Sequence, residues 1–161
     1  MLQNNKVKTK AGIIISILLL VTCLDHATKL TALYHLSLEN ISIEVSSFLN
    51  FVLVFNPGIS FGFLGEGGET QRILLTVFAT IVGFSLTFWA FLSKKTPIKI
   101  SLSMIAGGAL GNAIDRILYG AVVDFIDFHY KSYHWPAFNI ADAAITVGVA
   151  IVIIDGLLSR S

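Results

Sequence analysis

Charge is what this chain has least of. Of its 161 residues, 13% are Asp, Glu, Lys or Arg, whereas 55% are hydrophobic. So few polar side chains cannot clothe a soluble globule, which puts the membrane class first. The single cysteine, Cys23, excludes an internal disulfide framework and any CxxC redox or zinc pair. No basic stripe is present and the formal net charge is +1, so a nucleic-acid partner is not expected.

What the chain has instead is four apolar runs, at about residues 11–33, 73–92, 98–120 and 137–158. Each reaches about 20 residues, which at about 1.5 Å per residue matches an apolar slab of roughly 30 Å. The expected fold is therefore an all-α membrane protein of four transmembrane helices, one integral membrane domain over residues 1–161. Lys6, Lys8, Lys10, Lys94, Lys95, Lys99 and Arg160 all fall on one side of a four-span chain, so both termini are expected in the cytoplasm. The run ending in LVTC resembles a lipoprotein signal, but Thr22 is a poor cleavage-site residue and three more spans follow. An uncleaved helix is the expectation.

Residues 34–72 form the extracytoplasmic insertion. Its β-branched and aromatic residues predict one short sheet or hairpin from about Ile41 to Phe55, on the outer membrane boundary, with Asn56-Pro57-Gly58 as the turn. The following GISFGFLGEGG reads as a lid or a partly immersed loop, and residues 121–136 read as a short outer loop.

Polar residues inside the spans are few and cluster toward the outer half. Asp25 and Lys29 stand at i and i+4, which reads as an internal ion pair. Asn112, Asp115 and Arg116 share one face of the third span, with Asp115–Arg116 read as bundle glue. Gly107 and Gly111 make a GxxxG step that Gly108 widens, so another helix can approach closely. Asn139 and Asp142 share a face at the start of the fourth span; Asn112 and Asn139 can satisfy helix-end backbone or line a site.

Three carboxylates near the outer boundary matter most. Asp124 lies in the apolar VVDFI, Asp127 lies nearer the FHYKSYHW loop and reads as the solvated one, and Asp142 opens the fourth span. Folding Asp124 back against Asp142 would make a pair that shares a proton near neutrality. Such a pair can activate water and polarise a peptide carbonyl, which is aspartic-protease chemistry. Cys23 has no evident base. His26, His35, His129 and His134 show no HExxH, and His129 with His134 reads as an interfacial loop pair, so no metal ligands and no cofactor are expected. On residues alone, a proton-coupled carrier and a scaffold assembled through GGALG stay open beside the protease.

Together, DHATK at 25–29, FNPGISFGFL at 55–64, GGALGNAIDR at 107–116, VVDFIDF at 122–128 and FNIADAAI at 138–145 resemble the signal peptidase II (prolipoprotein signal peptidase) family over nearly the full chain. The resemblance implies a monomeric aspartyl endopeptidase of the bacterial inner membrane, surrounded by phospholipid, with a small outer sheet and a lid-like helix. Its substrates would be diacylglyceryl-modified prolipoproteins, cut immediately before the lipidated cysteine. By the same resemblance Asp124 and Asp142 are catalytic. Asn56, Asn112, Arg116, Asn139 and Asp115 line or organise the site, while Asp25, Lys29 and Gly108 support it.

Overall fold

The computed structural model describes residues 2–37, 42–58 and 68–159. In chain order it runs α1 (Leu2–Leu36), β1 (Ile43–Ser46), β2 (Leu49–Asn56), α2 (Glu69–Leu92), α3 (Thr96–Tyr119), β3 (Val122–Tyr130), β4 (Tyr133–His134) and α4 (Ile140–Leu158). The lid expected between Gly58 and Gly68 lies outside the described residues.

Three helical stretches, Ala11–Leu36, Glu69–Leu92 and Ile140–Leu158, are long and apolar enough to cross a membrane. Their outward faces carry exposed Leu19, Leu20, Phe78, Phe84, Phe88, Ile153 and Leu157. A continuous surface of that kind suits hydrocarbon and not water. The more polar α3 packs against α1, α2 and α4, and most of its buried residues are small. It can be less apolar because its neighbours, not lipid, surround it.

Backbone proximity comes from glycine. A Cβ at Gly107 would meet Leu18 O of α1 at 2.9 Å, and one at Gly108 would meet Ala141 O of α4 at 2.5 Å. The GGALG stretch is thus a two-sided contact, with one helix seated on each side. Thr22 adds a hydrogen bond to Gly107 O at 3.0 Å.

The small outer sheet extends beyond the short sheet or hairpin that the sequence predicts from about Ile41 to Phe55. Its four antiparallel strands lie in the order β1-β2-β3-β4, and residues 122–130, read as loop, form its longest strand. Gly120 closes α3 in the left-handed conformation at φ 78°, which turns the chain sharply into β3. An irregularity in β2 between Phe51 and Val54 sets the register, so that Asn50 pairs with Asp127 and Val54 with Asp124. Asn50 and Asn56 are six residues apart and would share a face on a regular strand. The extra residue sends them to opposite faces, one for each aspartate.

Candidate active site

Asp124 enters the site from the sheet. Its carboxylate is 1% exposed and accepts from Asn56 Nδ2 at 3.0 Å and Asn139 Nδ2 at 2.6 Å. Residues 135–138 run back along β3, with Phe125 N and Ile126 N both donating to Phe138 O, and this places Asn139 beside Asp124. Burial pushes the Asp124 carboxyl up to about 6, and the charge of Asp142 adds to the rise, while the amides of Asn56 and Asn139 and the charge of Lys29 oppose it.

Asp142 enters from α4. Asn139 is the N-cap of that helix, its Oδ1 accepting from Asp142 N at 2.9 Å. Asp142 therefore sits in a first turn, where the helix dipole suits negative charge. Its Oδ1 accepts from Asn112 Nδ2 at 2.8 Å, and Asn112 Oδ1 accepts from Asn139 Nδ2 at 3.2 Å. The two carboxylates are thus bridged through a pair of asparagines.

A buried cation fixes that bridge. Lys29, fully enclosed, donates to Asp25 Oδ2 at 2.7 Å and to Asn112 Oδ1 at 3.0 Å, and pairs with Asp115 Oδ2 at 2.8 Å. An ammonium only donates, so Asn112 must turn its oxygen to Lys29 and its amide to Asp142. Asp25 uses its other oxygen on Ala141 N at 2.8 Å, which satisfies a second free amide at the start of α4. Gly111 makes room for that carboxylate, since a Cβ there would lie 2.8 Å from Asp25 Oδ2.

One reading from the sequence is sharpened and one needs correction. Asp115 of α3 pairs with Lys29 of α1 and accepts from Val123 N at 3.0 Å, so it joins two helices through Lys29. Arg116 instead donates to Asn112 O at 3.1 Å, and its charge interacts first with Asp142. Asp127, read as solvated, is 6% exposed; it accepts from Asn50 Nδ2 at 3.1 Å and bonds to His134 Nδ1 at 2.9 Å. It lies three residues from Asp124 along β3, hence on the opposite face, away from Asp142. Asn50 is not singled out in the sequence, although a lone asparagine in an apolar strand is the same signal that marks Asn56; His134 reads there only as an interfacial loop partner of His129.

An open cavity of about 640 Å³ reaches this site. Phe128, Trp135, Phe138, Ala143, Thr146 and Val147 line it, with Asp142 on its wall. A paired carboxylate beside an apolar opening is suited to hydrolysing a bond next to a greasy group.

Residues 17–158 match the family described as Signal peptidase (SPase) II. The chain belongs to that family. It is 46% identical over 140 residues to a lipoprotein signal peptidase of Polynucleobacter necessarius, covering 86% of this chain and 85% of that one. A lipoprotein signal peptidase of Rhodopseudomonas palustris is 43% identical over 154 residues, covering 92% of this chain and 93% of that protein. Among solved structures, one titled "Bacterial membrane enzyme structure by the in meso method at 2.3 A resolution" superposes with a TM-score of 0.76 at 34% identity, covering 93% of this chain and 90% of that one. As a signal peptidase II, the chain is a multi-pass bacterial membrane peptidase that removes signal peptides from prolipoproteins, and the carrier and scaffold readings fall away.

Proposed function

We propose that Asp124 and Asp142 are the catalytic pair of this signal peptidase II. The observation that carries the reading is their meeting, from a strand and a helix, across the Asn112–Asn139 bridge. Asp124 holds its proton up to about pH 6 and acts as the acid that polarises the scissile carbonyl. Asp142, at its helix N-terminus, takes a proton from the attacking water. Collapse of the tetrahedral intermediate then needs a proton on the leaving amine, which Asp142 returns. Arg116 supports the site by donating from Nη1 to Asn112 O at 3.1 Å, on the residue whose amide holds Asp142.

The substrate is a prolipoprotein already carrying a diacylglyceryl group, cut directly before the lipidated cysteine. The apolar cavity beside Asp142 supports this, because it gives acyl chains a place next to the reacting bond. The sheet faces away from the cytoplasm: Lys94, Lys95 and Lys99 lie in the α2–α3 connection and the start of α3, at the other end of those helices. Among phospholipids the chain works as a monomeric inner-membrane domain over residues 1–161, with Gly108 and the Asp25–Lys29–Asp115 cluster as support.

The test is cleavage of a diacylglyceryl-modified precursor peptide by purified protein, with a non-lipidated peptide as control. Asp124→Asn and Asp142→Asn should each lose about 10²–10⁴-fold in rate while remaining folded, and Asp127→Asn should keep most of it. Equal inactivity of Asp127→Asn at equal protein level would refute the assignment of the first carboxylate. Cleavage of the non-lipidated peptide at the same rate would remove the lipid from the substrate.

A further inference from the structure

On the face of β3 turned away from Asp124, three side chains stand together that the hydrolysis does not use. Asp127 and His129 are two residues apart on β3 and so share a face. His134 is the cross-strand partner of His129, brought there by the tight turn at Lys131, whose φ is 55°. One ring nitrogen of each histidine and one carboxylate oxygen of Asp127 all lie within 4.8 Å of one another.

We propose that Asp127, His129 and His134 form a binding site for a divalent transition-metal ion of zinc's class. Two imidazoles and a carboxylate are a donor set that zinc accepts readily, with water completing the shell. The spacing of the two histidines, with four residues between them, falls within the range that zinc sites use. The donor atoms of a tetrahedral zinc are roughly 3.3 Å apart. His134 Nδ1 already lies 2.9 and 3.0 Å from the two oxygens of Asp127. His129, whose ring is stacked on that of His134 with centroids 5.2 Å apart and planes at 17°, is the donor that has to move.

Three further observations favour a site over a plain hydrogen-bonded Asp–His pair. Nδ1 of His129 is buried and has no hydrogen-bond partner among the described residues, a condition that native structures seldom leave without a ligand. Asp127 is held in place from behind by Asn50 Nδ2 at 3.1 Å, the outer-shell support that metal-binding carboxylates usually have. His134 is about half exposed, with 52% of its side chain accessible, so an ion can enter from solvent. The ion would cross-link β3 to β4 about 10 Å along the strand from Asp124, at 3.3 Å per residue. It would therefore brace the sheet and take no part in the chemistry.

Tag-free protein in detergent, titrated with zinc against a chromophoric chelator, tests this. Wild type should bind one ion per chain, and zinc should raise its melting temperature. His129→Phe keeps an aromatic ring against His134 but removes a donor, and should weaken binding by about 10-fold or more; Asp127→Asn should do the same. A His26→Ala/His35→Ala variant should bind as wild type does. Peptide cleavage by His129→Phe checks that it is folded. Absence of one-site binding in wild type would overturn the proposal. So would unchanged affinity in a folded His129→Phe, or an equal loss in the His26→Ala/His35→Ala variant.

Discussion

Asn139 donates its amide to Asp124 at 2.6 Å while its carbonyl oxygen caps the helix that carries Asp142. One side chain therefore sets the position of both acids, and the two duties can be separated. Asn139→Ala loses cap and donor together, and should cost about 0.5–2 kcal/mol of stability for the cap alone. Asn139→Ser keeps a capping oxygen but cannot reach Asp124. We expect serine to recover the melting temperature and not the cleavage rate. Recovery of both would reduce Asn139 to a helix cap.

With Asp124 as the proposed acid, its carboxyl sets the expected pH dependence of cleavage. Burial raises its carboxyl to about 6, so the proton needed for acid catalysis is present below that pH and lost above it. The profile of kcat/KM should accordingly have an alkaline limb near pH 6. Among the groups opposing the rise, the Asn56 amide is the largest. Asn56→Ala removes it and should move the limb to higher pH, beyond any loss in rate. A limb that stays put or moves down would separate Asp124 from the acid role.

How much of this was legible in the sequence depended on whether partners were near in the chain. The helices announced themselves by apolar length, and Asp25–Lys29 by the i,i+4 spacing of one helix. Asp115 did not give its partner away: its neighbour Arg116 is adjacent in sequence, but adjacent helical residues do not face each other. Lys29 reaches it from another helix. The strand β3 was hidden because VVDFIDFHY puts polar residues at 124, 127 and 129, which breaks the alternation that marks a half-buried strand. Two of those positions serve opposite faces, each with its own asparagine on β2, and only pairing through the β2 irregularity reveals this. Asp127 looked solvated for the same reason.

Lys29 is the cation on which several acceptors converge, so its loss should be felt in folding before chemistry. Lys29→Met leaves Asp25 and Asp115 buried without their cation, and removing one member of a buried ion cluster costs about 3–5 kcal/mol. We expect a large fall in detergent melting temperature and in yield. Adding Asp115→Asn removes one of the stranded charges and should restore part of the loss, read as a coupling energy in a double-mutant cycle. Strict additivity of the two substitutions would mean that Lys29 and Asp115 do not stabilise one another.

Gly108 links bundle packing to the site. A Cβ there would lie 2.5 Å from Ala141 O and 2.8 Å from Ile145 Cγ1, and Ala141 immediately precedes Asp142. Backbone cannot yield as a flexible side chain can, so Gly108→Ala must push α4 from α3 at the level of the acids. Overpacking of this kind costs about 1–3 kcal/mol, and the displacement should slow cleavage beyond what reduced stability explains. Gly156 is the matched control on the same α4, with nothing within 4 Å of its added Cβ. Gly156→Ala should leave cleavage unchanged and stabilise the helix by about 0.4–1 kcal/mol. Melting temperature and initial rate for the two variants, measured side by side in lipid, separate a local helix effect from displacement of Asp142. Full activity in Gly108→Ala would show that the α3–α4 contact can relax without moving the pair.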